Sequence, residues 1–271
     1  MNKGFSLVEL SIVLVILGLL TGGILAGQSL IRAAELRAVS AEFSRYVTAT
    51  QTFRDKYFAI PGDMQNATDF WEEFGNGGTG SCPDTAGTGT ETCDGDGDGI
   101  LSQNNTATDS MERFQYWRQL ANAGLIEGTY SGLGATISAS IHGACETDGT
   151  NCPRSKLGDA TWQAEYRAGS STANFYESRS GNALTFGKRY INAGNSTNNR
   201  GAVLSTEEAW NIDTKMDDGK PGMGSMLTYK SGTASAQMAD TNACADDADP
   251  SVAEYDVSLT GLECAVYFIA F

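Results

Sequence analysis

The first pattern in the chain is an almost unbroken apolar run over residues 5–26, interrupted by a single charge at Glu9. About twenty residues in a helix rise about 30 Å, which is enough to cross the hydrocarbon core of a bilayer. A carboxylate near the start of such a span is costly unless a positive group meets it. The run therefore predicts a helix for apolar surroundings, and Glu9 is its candidate functional residue.

A second pattern continues the helix beyond the apolar run. Apolar side chains and one threonine recur at alternating spacings of three and four, which places them on one helix face. These positions are Leu36, Val39, Phe43, Tyr46, Thr50, Phe53 and Tyr57. The pattern predicts one helix over residues 5–57, about 80 Å long, whose second half lies against its own globular part. Proline and glycine in Ile60-Pro61-Gly62-Asp63 predict where it stops.

The rest of the chain predicts shorter elements of both kinds. Helices are expected at 66–74, at 109–123 with one apolar face, and at 205–216, where Ser205 and Glu208 form a capping box. Strands are expected at 183–190, 225–230 and 263–271. Residues 75–99 are dense in Gly, Thr and Asp, and no core is expected from them. A long helix followed by antiparallel strands predicts an α+β fold.

The residues around Glu9 carry a specific resemblance. The sequence K-G-F-S-L-V-E-L from Lys3 to Leu10 resembles the processing site of type IV prepilins and pseudopilins. A secretory signal peptide fits less well, because its apolar core should lack Glu9 and end at a small-residue cleavage site. The resemblance implies that a prepilin peptidase cuts after Gly4 and that Phe5 becomes the N-methylated first residue. It also implies that Glu9 pairs with the N-terminal amine of a neighbouring subunit.

The resemblance further implies the organisation of the whole chain. Residues 1–4 form the leader, residues 5–57 the long helix with 5–26 as membrane or filament core, and residues 58–271 a periplasmic or extracellular head with a pilin-like α+β fold. The precursor is expected to cross the inner membrane once before assembly machinery transfers it to an extracellular pilus or periplasmic pseudopilus. Many members of the family have a proline near the end of the apolar run. Here Gly18, Gly22, Gly23 and Gly27 occupy that region. Local unwinding of the helix during packing is compatible with these glycines, whereas a fixed kink at a proline is not expected.

The net charge and the cysteine content limit which partners and which cellular compartment are expected. The 271 residues carry a formal net charge of −15, which disfavours direct binding of a nucleic acid. Six cysteines in an exported domain predict three disulfides, for which 15 connectivities exist. Pairing of sequence neighbours is the expected set, each bond closing a glycine-rich loop. These pairs are Cys82–Cys93, Cys145–Cys152 and Cys244–Cys264.

The sharpest candidate site in the head is C-D-G-D-G-D-G-I, residues 93–100. Carboxylates at alternate positions followed by glycine match the first half of a twelve-residue calcium loop. Asp94, Asp96 and Asp98 would supply side-chain oxygens, and Ile100 a backbone carbonyl. The usual closing glutamate would fall on Asn105, so a distant aspartate must close the shell or the affinity is lower. A flexible acidic turn without an ion is the alternative.

A second acidic cluster, Asp213, Asp217 and Asp218, has helical spacing and precedes Gly219. Carboxylates at the C-terminal end of a helix oppose its dipole, so either a cation or a solvated helix end is expected there. A third group, Asp246, Asp247 and Asp249, is better explained by solvation.

Signs of catalysis are absent from the sequence. The chain has one histidine, His142, which is expected on a surface turn. No Ser-His-Asp arrangement, phosphate-binding loop or dinucleotide fingerprint accompanies it. The sequence therefore favours a structural protein over an enzyme.

Three functions remain open at this point. The favoured one is a major or minor pilin that polymerises with other pilin subunits through its first helix. A pseudopilin of a type II secretion system shares the same N-terminus. A membrane-tethered, calcium-dependent adhesin or binding module that never polymerises is the alternative of another class.

Overall fold

The computed structural model describes residues 6–73, 89–102, 112–134, 136–138, 141–142, 144–168, 176, 179–191, 197–228, 244–247 and 249–271. Within these ranges the helices are α1 (Leu7–Tyr57), α2 (Thr68–Trp71), α3 (Glu112–Asn122) and α4 (Thr206–Met216). The strands are β1 (Thr136–Ser138), β2 (Ile141–His142), β3 (Thr161–Arg167), β4 (Gly181–Ile191), β5 (Thr197–Gly201), β6 (Met226–Thr228) and β7 (Val266–Ile269). The predicted α+β fold is confirmed.

Helix α1 is continuous over 51 residues, or about 77 Å at 1.5 Å per residue. It ends because Phe58 adopts a left-handed backbone, with φ of 56°, and its N–H donates to the Arg54 carbonyl at 2.8 Å. This left-handed cap satisfies one of the last carbonyls of the helix. The predicted helix is confirmed over the described residues, and it ends at Tyr57, before the turn that contains Pro61.

The second half of α1 packs on the head along the predicted stripe. Val39, Tyr46, Thr50 and Phe53 are buried, and the other apolar members of the stripe pack against the same core. The Tyr46 ring meets Trp117 of α3 edge to face, with ring centroids 4.9 Å apart. The amphipathic pattern therefore predicts correctly which face of the helix is covered by its own chain.

The head is built on a five-stranded antiparallel sheet. Four strands follow the order β3-β4-β7-β6, and β5 pairs with β4 off this path. Strands β4, β6 and β7 lie within the predicted segments or extend them slightly. Strands β3 and β5 were not predicted. Six of the seven β3 positions are buried, although apolar and polar residues alternate along its sequence T-W-Q-A-E-Y-R.

Both faces of the sheet are covered by apolar side chains. Trp162 of β3 packs towards α1, with its ring centroid 5.8 Å from that of Tyr46. On the opposite face a smaller cluster includes Tyr176, Ala183 and Tyr267. The predicted apolar residues of α3, Phe114, Trp117 and Leu120, are buried, but so is every other residue from Glu112 to Leu120.

Burial all round α3 corrects the prediction of one apolar face. Its polar side chains are buried because they hold neighbouring loops: Gln119 accepts from the Gly62 N–H at 2.6 Å, and Arg118 donates to the Tyr130 carbonyl at 2.8 Å. Gln119 also donates to the Cys93 carbonyl at 3.1 Å, and Thr92 and Cys93 are buried in the head. The expectation that residues 75–99 contribute no core is therefore wrong at their C-terminal end.

Two of the predicted disulfides are present. Cys145–Cys152 and Cys244–Cys264 have Cα atoms 5.4 and 5.1 Å apart. Cys93 is also disulfide-bonded, and its predicted partner Cys82 lies outside the described residues. His142 lies in strand β2 rather than on the predicted surface turn. The predicted helix at 66–74 is reduced to Thr68–Trp71, and Phe74 lies outside the described residues.

Candidate functional site

The first half of α1, residues 7–31, is named here the assembly segment. Its large aliphatic side chains are 50–86 % exposed, because the head contacts the helix only farther along. These residues are Leu7, Val8, Leu10, Ile12, Val13, Leu14, Val15, Ile16, Leu17, Leu19, Leu20, Ile24, Leu25, Leu30 and Ile31. Of the described helices, α1 alone is long and apolar enough to cross a membrane. So large an apolar surface marks a site of contact with lipid or other protein.

Glu9 sits in the first turn of α1 and caps it. Its Oε2 accepts from the Ser6 backbone N–H at 2.9 Å, and Ser6 Oγ accepts from the Val8 N–H at 3.3 Å. This capping box satisfies two of the N–H groups that have no partner inside a helix. Among the described residues, no donor reaches Glu9 Oε1, so this oxygen is available to a second group. Gly4 and Phe5 lie outside the described residues, and their predicted roles stay predictions.

The assembly segment meets the head at Arg32. Its Nε and Nη2 donate to the two carboxylate oxygens of Glu208, each at 2.6 Å, and Nη2 also reaches the Val203 carbonyl at 3.2 Å. Burial alone would raise the pKa of Glu208, but the hydrogen bonds and charge of Arg32, together with the hydrogen bonds from Ser205, lower it. Glu208 also accepts from the Ser205 N–H in the capping box of α4. One ion pair thus connects α1 to the N-terminal end of α4.

Glycines of the assembly segment face open space. A Cβ placed on Gly18, Gly22, Gly23 or Gly27 would meet nothing within 4 Å. The helix runs through all four without interruption. Packing inside this chain therefore does not require glycine at these positions.

The predicted calcium loop brings only part of its carboxylates together. Oxygens of Asp96 and Asp98 lie within 4.8 Å of each other and of one from Asp63. The Asp63 carboxylate accepts from the Gly97 and Gly99 N–H groups at 2.7 and 2.9 Å. Burial raises its pKa to about 6 despite these hydrogen bonds. Asp63 was not predicted as a site residue, because it reaches the loop only through the turn after α1.

The other predicted members of the loop have local partners. Asp94 accepts from the backbone N–H and hydroxyl of Thr68, at 2.9 and 3.0 Å. The Ile100 N–H donates to Asp98 Oδ1 at 2.7 Å. Glu112 accepts from the N–H groups of Asp96 and Ser102, and burial raises its pKa to about 7. Calcium binding by this loop stays a prediction, with Asp63 as the distant aspartate that such a shell needs.

The second predicted cluster is assembled at the end of α4. Oxygens of Asp213, Asp217 and Asp218 lie within 4.8 Å of one another. Asp213 is fully buried, and Tyr255 donates to its Oδ2 at 2.9 Å. Burial raises the pKa of Asp213 to about 7, against the hydrogen bond from Tyr255 and the influence of the nearby Gly219 N–H. The two other carboxylates are exposed, so the cluster opens to solvent on one side.

Comparison with known families identifies the N-terminal segment. A family model described as the prokaryotic N-terminal methylation motif matches residues 1–25. This is the prepilin-type cleavage and methylation signature of type IV pilins, and it covers the start of the assembly segment. No curated protein and no solved structure matches the chain. The motif supports a pilin-like or pseudopilin-like precursor and points to a structural class rather than to an enzyme.

Proposed function

We propose that this chain, which carries the prepilin-type cleavage and methylation signature at residues 1–25, is a structural subunit of a type IV pilus-like filament. The observation that carries the proposal is the assembly segment. Its aliphatic side chains are half or more exposed on every side of α1, although the head covers one face of the rest of the same helix. Such a surface is stable only when lipid or other helices remove it from water.

Two states of the subunit follow from this surface. Before assembly, the segment anchors the precursor in the inner membrane, where a prepilin peptidase cuts after Gly4. After extraction by the assembly machinery, the segments of neighbouring subunits bury one another in the filament core. The head, stabilised by disulfides, faces outward from that core.

Glu9 gives the packing its register. In apolar surroundings an unpaired carboxylate and an unpaired N-terminal amine are both costly, and pairing them between subunits relieves both. The structure is compatible with this role because Glu9 caps its own helix through Oε2. Its other oxygen is left for the amine of Phe5 in a neighbour.

Substitutions at Glu9 separate the cap from the charge. Glu9→Gln keeps an oxygen that can accept from the Ser6 N–H but removes the charge, and Glu9→Val removes both. Both variants should be made and anchored normally yet be nearly absent from filaments, as measured by immunoblots of sheared fibres against whole cells. Glu207→Gln, at an exposed position of α4, is the matched control and should assemble normally. Incorporation of Glu9→Gln at the wild-type level would show that register does not depend on this charge.

The location of the filament distinguishes a pilus from a pseudopilus. Long surface fibres that contain this chain support the pilus. A secretion defect in the deletion strain without surface fibres would instead support a pseudopilin of a type II secretion system. A subunit that stays monomeric in the membrane would favour the tethered adhesin.

A further inference from the structure

Among the described residues, one buried carboxylate oxygen in the head has no hydrogen-bond partner. Asp213 is fully buried, and its Oδ1 accepts no hydrogen bond, whereas Oδ2 accepts from the Tyr255 hydroxyl at 2.9 Å. Leaving a buried polar atom unsatisfied is costly, and most such atoms in proteins have a partner. A hydrogen-bond donor or a cation would therefore stabilise this oxygen of Asp213.

The surroundings of Asp213 add negative charge. One oxygen of Asp213 lies within 4.8 Å of oxygens from both Asp217 and Asp218. Asp217 is held in place, since its Oδ2 accepts from the N–H groups of Ser225 and Met226. The C-terminal end of a helix also carries a negative partial charge. The electrostatic repulsion among these groups favours a cation between them.

Ion pairs within the described residues do not neutralise the cluster. In the described part of the chain, none of the three aspartates forms an ion pair. The nearby Lys220 pairs through its ammonium with Glu254, attracts Asp218 only from a distance, and donates its backbone N–H to Asp218 at 2.9 Å. A cation from solvent would neutralise the negative charge that remains among the described groups.

A glycine lets the two exposed carboxylates lie against the backbone. Gly224 has a positive φ of 72°, and a Cβ at this position would lie 2.0 Å from Asp217 Oδ2 and 3.0 Å from Asp218 Oδ2. A side chain here would therefore collide with the Asp217 carboxylate and displace it from the cluster. Asp217 and Asp218 are exposed, so a cation can reach them from solvent.

We propose that Asp213, Asp217 and Asp218 bind one calcium ion at the C-terminal end of α4. All three ligands are oxygens, which suits calcium and excludes the nitrogen and sulfur sets preferred by zinc. Oxygens that share one calcium ion at 2.3–2.6 Å lie at most about 5 Å apart, which the cluster satisfies. Water and backbone carbonyls would complete the shell.

The ion would join three parts of the head. Asp213 belongs to α4, Asp217 holds the N–H groups at the start of β6, and Tyr255 connects Asp213 to the loop closed by Cys244–Cys264. Bound calcium therefore stabilises the end of α4 against these neighbours. The site is independent of the assembly segment and of its polymerisation.

Calcium titration of the full-length protein in detergent tests this site. The Asp98→Asn background removes one negative charge from the predicted loop at 93–100 and weakens calcium binding there, so that the remaining tight binding reports the α4 site. After chelator treatment, this protein should bind one calcium ion by isothermal titration calorimetry, and added CaCl2 should raise its unfolding temperature. MgCl2 at the same concentration should raise it less, since magnesium retains its water shell.

Substitution of exposed and buried ligands completes the test. In the same background, Asp218→Asn keeps the acceptor for the Lys220 N–H and should weaken calcium binding about tenfold or more. Asp213→Asn should abolish the calcium-dependent rise in unfolding temperature. Asp159→Asn, at a 75 % exposed position far from the cluster in sequence, is the control and should bind as tightly as the background. Absence of binding in the Asp98→Asn protein, or unchanged affinity in Asp218→Asn, would overturn the proposal.

Discussion

The two halves of α1 belong to one uninterrupted helix but meet opposite surroundings. Along residues 7–31 the apolar side chains cover the whole circumference and stay exposed. Along residues 36–57 they form one stripe, and the head covers it. The first half is therefore suited to packing against lipid or other molecules, and the second half packs against its own chain.

The largest expected contrast comes from truncating one apolar side chain in each half. Phe53→Ala removes a fully buried ring and should lower the free energy of unfolding of the head by about 3–5 kcal/mol. Leu14→Ala, where the side chain is 61 % exposed, should leave it unchanged. Denaturant unfolding in detergent, followed by tryptophan fluorescence, measures both. Equal destabilisation would contradict the division of the helix.

A buried carboxylate gives the next contrast. Glu42 lies in the covered half and accepts from the Trp162 indole N–H at 2.8 Å and from the Lys156 N–H at 3.1 Å. Glu42→Ala leaves both donors without an acceptor and should cost about 2–3 kcal/mol of unfolding free energy. Glu42→Gln, which keeps one acceptor, should cost less in the same denaturant experiment. A neutral result for Glu42→Ala would mean that water replaces both hydrogen bonds.

Sequence periodicity predicts α1 well for a physical reason. The spacing of Leu36 through Tyr57 encodes one covered face, and the apolar run before it encodes none. Strand β3 does carry a strand pattern that the prediction missed, because Trp162, Ala164 and Tyr166 alternate with polar residues. The sequence does not reveal that the polar residues of β3 are buried as well. Helix α3 is predicted, but its burial is not, because Gln119 and Arg118 look like surface residues in the sequence.

The residues of the candidate sites also differ in how well the sequence predicts them. Glu9, Asp213, Asp217 and Asp218 can be recognised from short spacings along one helix or its end. Asp63 cannot, because it joins Asp96 and Asp98 only after the chain has folded back from α1. Local sequence patterns reveal ligands that are near in sequence, and the fold supplies the distant one.

Protonation of Glu112 should affect the head without involving the assembly segment. Its folded pKa of about 7 lies above the ordinary value of 4.5, so the folded state binds the proton more tightly than the unfolded state does. Stability from this group is present below about pH 4.5 and is lost as the pH rises through about 7. The loss should be at most about 3 kcal/mol, because each pH unit between the two pKa values is worth about 1.4 kcal/mol.

Unfolding of chelator-treated protein at several pH values between 5 and 8 measures this dependence. Glu112→Gln should reduce the slope of the profile, because its side chain cannot titrate; the slope that remains should come from Asp63 and Asp213, whose pKa values are also raised. An unchanged profile in Glu112→Gln would assign the dependence to other groups.

The smallest effect is expected at the junction of the two halves. Arg32 pairs with Glu208 through two hydrogen bonds, but its side chain is 34 % exposed. Arg32→Ala should therefore lower the free energy of unfolding by only about 0.5–1 kcal/mol. Arg32→Lys should not restore the loss fully, because lysine cannot donate the paired bonds. A loss of stability as large as that of Phe53→Ala would mean that the part of α1 covered by the head begins at Arg32.

Mass spectrometry of the N-terminus of the subunit purified from cells tests the central claim most directly. The exposed half of α1 is made for neighbouring copies only if the chain is processed for polymerisation. The expected mature protein begins at an N-methylated Phe5 and is recovered in filaments. A protein that retains Met1-Asn2-Lys3-Gly4 and remains monomeric would contradict this claim.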